Sequence, residues 1–347
     1  MRLRTVSPNG PGWTRRRAGK GFVYLDVGGD RLAGESVERV RALVIPPAWQ
    51  QVWICPYPSG HIQAVGTDDA GRRQYIYHPV WRQQRDAAKF DRVLAMAKSL
   101  PKVRVQVAAH LAGEGMGRER AMACAVRLID LGYFRIGNDA YTDEHGSYGL
   151  TTLLRRHVHR NGDGLRFTFV GKSGIEHDIA VDDPDVCRVV EHLRRRRGGG
   201  DELLAFKEGT RWRDVNATGV NAYLEVLFGG EVTAKDFRTW HATVIAATAL
   251  ADNPSLGETK SARRKVIRQA IVEVSEYLGN TPAIARGSYV DPRVLDLYDD
   301  GTTIAAALQR APKSPTLRQE HVERAVLRLL SKAPESKTRS GRSQGRA

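Results

Sequence analysis

The residue pattern of this chain changes near Trp81, and that change limits the possible folds more than any other feature. Before Trp81, short apolar runs are separated by proline and glycine, which is typical of strands joined by turns. After it, alanine, leucine, arginine and glutamate dominate, and apolar residues recur at helical spacing. We therefore predict an α+β protein with a small β-rich N-terminal domain at 1–82, a linker at 83–88 and a mostly α-helical domain at 89–332.

Strand-like runs fill most of the N-terminal domain. Residues 1–20 are basic and rich in glycine and proline, so we interpret them as an arm. Ser36–Leu43 fits one short helix, and Asp68–Gly71 has the composition of a hairpin turn. The predicted strands are Phe22–Asp26, Val52–Cys55, Ile62–Gly66 and Gln74–His78.

A β-hairpin interrupts the helices of the second domain. Leu165–Val170 alternates between apolar and polar residues, Gly171–Gly174 forms a turn, and Ile175–Ile179 returns, which places Lys172 at the tip. Residues 333–347 are polar and basic without an apolar period, which predicts a disordered basic tail. The predicted helices are 81–98, 102–132, 184–196, 214–226, 240–251 and 259–278.

Charge is the strongest compositional signal. The net charge is +15 and the pI is about 10.0, which indicates a polyanionic partner such as nucleic acid, a membrane surface or the ribosome. No run of about 18 apolar residues occurs, so we expect no membrane span. The first ten residues lack the apolar core of a signal peptide, and we expect a cytoplasmic, nucleoid-associated protein.

Cysteine usage argues against disulfides and cysteine-based zinc sites. Cys55, Cys124 and Cys187 are far apart and odd in number, as expected in a reducing compartment. His157 and His159 could ligate a metal from one strand, but they have no acidic or cysteine partner nearby. We therefore expect no metal site and no cofactor.

Three cations and one tyrosine carry the chemical signal. Arg135, Lys172 and Arg238 stand in short polar contexts, and Tyr289 follows them near the C-terminal end. A phenol is a poor nucleophile at neutral pH because its reference pKa is about 10. Two guanidiniums on the nonbridging phosphate oxygens and an ammonium at the leaving oxygen would compensate for that. In a strongly basic chain, this order predicts DNA cleavage and resealing through a phosphotyrosine.

Each of these residues has an ordinary structural alternative when taken alone. The arginines could serve in salt bridges, a lysine at a hairpin tip is usually solvated, and a tyrosine after a glycine-rich loop usually packs. Thr281 and Pro282 form a helix-start signal, and Gly287 is a plausible C-cap, which would place Tyr289 just past a short helix. The combination in one basic chain favours the catalytic interpretation.

The same motifs resemble those of a known family, the type IB DNA topoisomerases of the short bacterial and poxvirus branch. The resemblance extends from Gly19 to about residue 330. The residues that carry it are Gly71-Arg72-Arg73-Gln74-Tyr75-Ile76-Tyr77-His78, Arg135-Ile136-Gly137 with Tyr141, Phe169-Val170-Gly171-Lys172, Lys235-Asp236-Phe237-Arg238-Thr239, and Ser288-Tyr289.

The resemblance implies a monomeric clamp around double-stranded DNA. Tyr289 would form a 3′-phosphotyrosine and release a 5′-hydroxyl, Arg135 and Arg238 would hold the nonbridging oxygens, and Lys172 would protonate the leaving oxygen. The free strand would swivel and then be resealed. Because the phosphotyrosine conserves bond energy, no ATP would be needed, and the cations would take the place of a metal ion.

The resemblance also implies a set of DNA contacts. Alternate residues of a strand share a face, so Tyr75 and Tyr77 should point one way and Gln74 the other. Packing within the small domain is the alternative for these tyrosines. The expected DNA-binding residues are Arg72, Arg73, Gln74, Tyr75, Tyr77, Tyr141 and Lys235.

One position departs from the family pattern. The poxvirus-like members carry a histidine nine residues before the tyrosine, where this chain has Asn280. An asparagine can donate an amide N–H to a phosphate oxygen, but it carries no charge and moves no proton. We predict that Asn280 retains oxyanion stabilisation alone. His241, three residues after Arg238, is a weaker substitute candidate.

Two other classes of protein remain open at this stage. Tyrosine recombinases use similar chemistry, but they usually show His-x-x-Arg at the second arginine, where this chain has Lys235 before Arg238. Their N-terminal module is helical, whereas this one is β-rich. In a non-catalytic protein that binds double-stranded DNA, the set of two arginines, one lysine and one tyrosine would have no function.

Overall fold

The computed structural model describes residues 2–132, 134–137, 146–253 and 259–332. The chain divides into two compact units, Met1–Lys89 and Phe90–Ala347. The first is rich in strands and the second is mostly helical, which confirms the predicted α+β class. The predicted tail at 333–347 and Tyr141 lie outside the described residues.

The N-terminal unit is built on one antiparallel sheet. Its strands lie in the order β2-β1-β3-β4-β5, and helix α1 spans Gly34–Ala42 between β2 and β3. The predicted short helix and all four predicted strands are confirmed within one or two residues. The strands are β1 (Trp13–Ala18), β2 (Gly21–Leu25), β3 (Gln50–Ile54), β4 (Ile62–Thr67) and β5 (Arg73–Tyr77).

The interpretation of residues 1–20 as an arm is wrong for its second half, which forms β1. Arg15 pairs with Tyr24 across the sheet. Its guanidinium donates to the carbonyl oxygens of Ile45 at 3.1 Å and Trp49 at 2.5 Å, and it lies over the Phe22 ring. A run of basic residues can form a strand when its guanidinium groups bind carbonyl oxygens. Composition alone does not show whether such acceptors are present.

The predicted turn between β4 and β5 is confirmed. The Asp68 carboxylate accepts the backbone N–H groups of Ala70 and Arg72, and Gly71 takes a φ of +72°. Glycine adopts this left-handed conformation without steric cost. The turn therefore fixes where β5 begins.

The predicted linker at 83–88 is helical, because these residues belong to helix α2, which spans Pro79–Ala112; the boundary between the two compact units follows at Lys89 and Phe90. Residues 83–88 include arginine, glutamine, aspartate and alanine but no glycine or proline, so nothing local stops a helix. The predicted break near Pro101 is wrong, since Pro101 lies inside α2. The helix ends instead before a glycine-rich segment, Gly113–Gly117.

Helix α6 (Ala234–Asp252) packs against several other helices of the second unit, which also contains two small sheets. Phe237 and Trp240 on α6 are almost completely buried in the core of this unit. The sheets are β6-β7-β8 (Val158–Asn161, Gly164–Val170, Glu176–Val181) and β9-β10 (Ala205–Glu208, Arg211–Asp214). The remaining helices are α3 (Arg118–Asp130), α4 (Pro184–Arg194), α5 (Ala217–Phe228), α6 (Ala234–Asp252), α7 (Lys260–Leu278), α8 (Pro282–Ser288), α9 (Pro292–Asp299), α10 (Ala305–Leu308) and α11 (Pro315–Ser331).

A buried ionic network joins α2, α3 and α11. Arg104 donates to both carboxylate oxygens of Asp130 at 2.8 Å and to Glu323 at 2.7 Å. Arg127 adds a bond to Asp130 at 2.9 Å. Burial would raise the pKa of Asp130, but the hydrogen bonds and the charge of Arg104 outweigh this effect, and the pKa lies below its ordinary value.

In the part of the chain that the structure describes, no helix is long and apolar enough to cross a membrane.

Candidate active site

Side-chain packing at Phe134 and a backbone hydrogen bond at Arg135 fix the position of Arg135. The preceding Phe134 is buried, with its ring 5.0 Å from Phe167 and 6.1 Å from Phe169, both on β7. The Arg135 carbonyl accepts the N–H of Leu150 at 2.8 Å. This packing sets the origin of the Arg135 side chain relative to the hairpin.

Two glycines permit the backbone approach that places Arg135. Gly137 adopts a φ of +93°, and a Cβ added at Gly149 would lie 2.4 Å from the Gly137 Cα atom. Such a distance is sterically forbidden, so the two segments can only meet without a side chain there.

Lys172 lies at the tip of the β7–β8 hairpin, as the sequence predicts. It opens a single 3₁₀ turn, Lys172–Gly174, closed by the Gly171 N–H bond to the Ile175 carbonyl at 2.7 Å. Lys172 is exposed, and Ile175 at the far side of the turn reaches Gly279. An added Cβ at Gly279 would lie 3.3 Å from the Ile175 Cδ1 atom. The tip therefore lies close to the end of α7.

Arg238 projects from the second turn of α6 and is largely buried. A capping box between Thr233 and Asp236 starts this helix, and Arg92 pairs with Asp236 at 3.0 Å. The sequence predicted this helix from residue 240, six residues late, because the apolar periodicity begins only after the cap. The cap places Arg238 where its side chain faces α7.

Both arginines bind the C-terminal end of α7. Arg135 Nη2 donates to the carbonyl oxygens of Leu278 at 2.7 Å and Gly279 at 2.8 Å, and Arg238 Nη2 donates to Leu278 at 2.8 Å. Cations are favourable at this end of a helix because of its unsatisfied carbonyls. Each guanidinium has five N–H donors, so donors other than the Nη2 group that binds Leu278 exist on both side chains.

Asn280 lies between the arginines and the tyrosine-bearing helix. Its Oδ1 atom accepts from Arg135 Nη2 at 3.2 Å, which orients the amide. Its Nδ2 atom is buried and has no hydrogen-bond partner within the described residues. A buried amide donor without an acceptor costs free energy unless a ligand supplies the acceptor.

Tyr289 is the C-terminal cap of α8, so the predicted position just past a short helix is confirmed. Thr281 caps the start of that helix through the N–H of Ile284, with Pro282 in the first turn. The predicted cap at Gly287 is wrong, because Gly287 remains inside the helix. The Tyr289 ring centre lies 5.8 Å from Arg238 Cζ and 6.0 Å from Lys235 Nζ.

Tyr289 influences the pKa of both arginines. Burial lowers the pKa of Arg238, and the Tyr289 phenol opposes this through its charge and a side-chain hydrogen bond. Burial lowers the pKa of Arg135 as well, the Arg238 charge lowers it further, and Tyr289 acts in the opposite direction. Both guanidiniums nevertheless remain charged, because arginine does not deprotonate in proteins.

The expected DNA-binding residues of the N-terminal unit lie on and beside β5. Tyr75 and Tyr77 are 38% and 37% exposed, and their rings stack 5.8 Å apart. Gln74 points to the other face and donates to Asp68 at 2.9 Å, as the strand alternation predicts. Arg72 pairs with Asp68 at 2.9 Å, and the Arg73 guanidinium lies 6.0 Å from the Tyr75 ring centre. Substantial exposure disfavours the packing alternative for the two tyrosines.

Sequence reasoning missed two features beside this site. Burial lowers the pKa of His177 on β8, and the charges of Arg135 and Arg238 lower it further. His177 also stacks on Phe169 at 4.9 Å. The Leu278 carbonyl was missed as well, because a backbone acceptor has no residue signature. His241 is buried on α6. Burial lowers its pKa, and this effect outweighs the charge of Asp130, which acts in the opposite direction.

Comparison with known proteins identifies the class of protein to which this chain belongs. Residues 78–311 match the family described as the eukaryotic DNA topoisomerase I catalytic core, and residues 21–68 match the bacterial DNA topoisomerase IB N-terminal domain. The chain therefore belongs to the type IB DNA topoisomerases.

Individual relatives agree with this assignment. The chain is 27% identical over 301 residues to DNA topoisomerase 1B of Acanthamoeba polyphaga mimivirus, covering 82% of this chain and 87% of the relative. It is 23% identical over 239 residues to DNA topoisomerase 1B of vaccinia virus, covering 68% and 72%. It is 33% identical over 129 residues to DNA topoisomerase 1 of Daucus carota, covering 37% and 15%. These matches favour a topoisomerase over a recombinase or a non-catalytic DNA-binding protein.

Proposed function

We propose that this chain relaxes supercoiled double-stranded DNA, with Tyr289 as the nucleophile that forms a transient 3′-phosphotyrosine. The convergence of Arg135 and Arg238 on the end of α7, beside the Tyr289 ring, is the observation that carries this proposal. The Tyr289 oxygen attacks phosphorus and the 5′ oxygen leaves. The nicked strand rotates, and the 5′-hydroxyl then attacks the phosphotyrosine and releases the tyrosine.

The arginines stabilise the charge that develops on the nonbridging oxygens. Each has donors beyond the Nη2 group that binds Leu278, so a phosphate can be bound without releasing the helix end. Donors that are already oriented need little reorganisation in the transition state, which is why such sites are effective. A guanidinium also matches two phosphate oxygens at once.

Lys172 supplies the proton for the leaving 5′ oxygen. It lies in a short turn whose far side, at Ile175, contacts Gly279 beside Arg135. An exposed ammonium on a four-carbon chain can reach a phosphate held between the arginines. In resealing, the same group accepts the proton of the attacking hydroxyl, as microscopic reversibility requires.

Asn280 contributes a neutral hydrogen bond through Nδ2. Arg135 already binds its oxygen, so the amide is oriented with the nitrogen available. A nonbridging oxygen is the acceptor that this donor lacks. The contribution is expected to be independent of pH, because an amide does not titrate.

DNA binding extends beyond the reacting phosphate. We assign Tyr75, Tyr77, Arg72 and Arg73 to contacts with the duplex on the basis of their exposure and charge, with Gln74, Tyr141 and Lys235 as further contacts. The net charge of +15 favours phosphate contacts without sequence preference. The proposal includes a monomeric enzyme that closes around the duplex and associates with the nucleoid in the cytoplasm.

Relaxation of a negatively supercoiled plasmid in EDTA and without ATP tests this function. The wild type should relax the plasmid and leave an SDS-stable protein–DNA adduct. Tyr289→Phe should bind DNA with near-normal affinity and lose both results, because the ring remains and the hydroxyl is removed. A covalent complex formed by the Phe variant would show that another residue is the nucleophile.

A further inference from the structure

Thr243 makes an unusual set of contacts one and a half turns after Arg238 on α6. It is 2% exposed, and its hydroxyl donates to the Thr239 carbonyl on the same helix at 2.9 Å. The same Oγ1 atom accepts the backbone N–H of Asp291 at 3.1 Å and lies 3.4 Å from the Tyr289 carbonyl oxygen. One hydroxyl therefore contacts the backbone just before and just after Val290.

The Asp291 N–H depends on this contact. Asp291 is 2% exposed and Val290 is completely buried, so water does not replace the acceptor. The Asp291 carboxylate is used elsewhere, since it caps α9 through the N–H of Arg293 and pairs with that side chain at 2.7 Å. Loss of the Thr243 hydroxyl would leave a buried donor unpaired immediately beyond the tyrosine.

The other end of the tyrosine-bearing segment is also held from α6. Arg238, on the same helix as Thr243, binds the Leu278 carbonyl at 2.8 Å. Five residues of helix correspond to a rise of about 7.5 Å, so the two attachment points are a short, rigid distance apart. The segment from Leu278 to Asp291 is thus attached to α6 at both ends, and Tyr289 lies next to the second attachment.

We propose that Thr243 is a positioning residue that holds the backbone of Tyr289 at the correct distance from Arg238. This inference rests on Tyr289 as the nucleophile. Thr243 touches neither the phosphate nor the phenol; it acts through the backbone of residues 289 and 291. Misplacement of a reacting group by about 1 Å can cost on the order of 10²-fold in rate.

Helix α6 offers a matched set of variants. Thr243→Val keeps the shape and removes the hydroxyl, whereas Thr243→Ser keeps the hydroxyl. Thr248→Val is the control, because the Thr248 hydroxyl bonds only to Val244 of its own helix among the described residues, at 2.9 Å. Thr243→Cys is an intermediate, since a thiol is a weak hydrogen-bonding group.

Single-turnover cleavage of a suicide duplex is the measurement, with DNA affinity and thermal unfolding recorded for each variant. Thr243→Val should cleave roughly 10- to 100-fold more slowly at unchanged affinity, whereas Thr243→Ser and Thr248→Val should remain within about threefold of wild type. If Thr243→Val does not fold, Thr243→Cys decides, and it should cleave at least about fivefold more slowly than Thr243→Ser.

A second substrate separates positioning from acid catalysis. A 5′-bridging phosphorothiolate has a good leaving group, so it should not restore cleavage by Thr243→Val, in which the nucleophile is displaced. Restoration, or a folded Thr243→Val with a normal rate, or a Ser variant as slow as the Val variant, would overturn the proposal. An adduct formed by Tyr289→Phe would instead remove the nucleophile assignment itself.

Discussion

Arg135 and Arg238 donate hydrogen bonds to one and the same atom, the carbonyl oxygen of Leu278, at 2.7 and 2.8 Å. Two like charges that share an acceptor repel each other, and the lowered pKa of Arg135 reflects this after the larger effect of burial. A phosphate placed against both groups would relieve the repulsion. The shared acceptor thus keeps the two guanidiniums close enough to bind one anion.

Replacing either arginine by lysine should separate charge from geometry. Lysine keeps the charge but lacks the planar fork, so it cannot hold Leu278 and a phosphate together. We expect Arg135→Lys and Arg238→Lys each to lose at least about 10²-fold in cleavage rate, with little change in DNA affinity. Arg268→Lys, at an exposed position of α7, is the control. Near-wild-type cleavage by both active-site variants would exclude clamping through the guanidinium fork.

Lys172→Ala should slow cleavage by on the order of 10²–10⁴, the usual range of general acid catalysis. The physical reason is that the 5′ oxygen would leave without a proton. A 5′-bridging phosphorothiolate needs little protonation and should restore the rate. If the modified duplex is cleaved as slowly as the normal one, the acid is another group.

Asn280→Ala should cost about 2–4 kcal/mol of transition-state stabilisation, as for the loss of one oxyanion donor. Asn280→His should keep substantial activity, because an imidazole N–H can occupy a similar position, and it should introduce a pH dependence near about 6.5 that the wild type lacks at this residue. Single-turnover rates across pH provide the measurement. A rate for Asn280→Ala within about threefold of wild type would remove the residue from the site.

Stability should depend on Asp130 in a defined pH range. Its pKa is lowered in the folded state by Arg104 against the effect of burial, while the unfolded value is about 3.9. Its contribution is therefore complete above about pH 4 and is lost as the pH falls through the lower folded value. Asp130→Asn should cost about 1.5–3 kcal/mol near neutral pH, because Arg104 keeps Glu323 but loses one of its two carboxylate partners.

Urea unfolding of wild type and Asp130→Asn at several pH values measures this difference. The gap between the two proteins should shrink as the pH falls below about 4. Asp178→Asn is the control, because the Asp178–Arg166 pair is half exposed on both sides and an exposed ion pair contributes little to stability. A gap that widens in acid would contradict the assignment.

The sequence was most informative where function depends on side chains in short motifs. Arg135, Lys172, Arg238 and Tyr289 each stand in a motif of a few residues, and the structure brings their segments together at the end of α7. The hairpin was also predictable, because its strands alternate and glycines flank its turn. These features depend on residues that are close together along the chain, so they can be recognised from a single sequence.

The remaining features depend on contacts between distant segments. The Leu278 carbonyl has no side-chain signature, and Thr243 resembles any threonine that bonds to its own helix until its distance to Asp291 is known. The helical state of the linker at 83–88 has a local cause. Residues 83–88 are good helix formers, and the change in residue pattern near Trp81 coincides with the start of a helix and not with a loop.

The close contact between Gly137 and Gly149, which helps to place Arg135, is possible because neither residue has a side chain. A methyl group at position 149 would overlap the backbone beside Arg135, with its carbon 2.4 Å from the Gly137 Cα atom and 3.0 Å from the Arg135 carbonyl oxygen. Gly149→Ala would therefore shift the origin of the Arg135 side chain without changing any charged or polar group. The close approach of Gly137 and Gly149 therefore determines where the Arg135 side chain begins, although neither glycine has a side chain of its own.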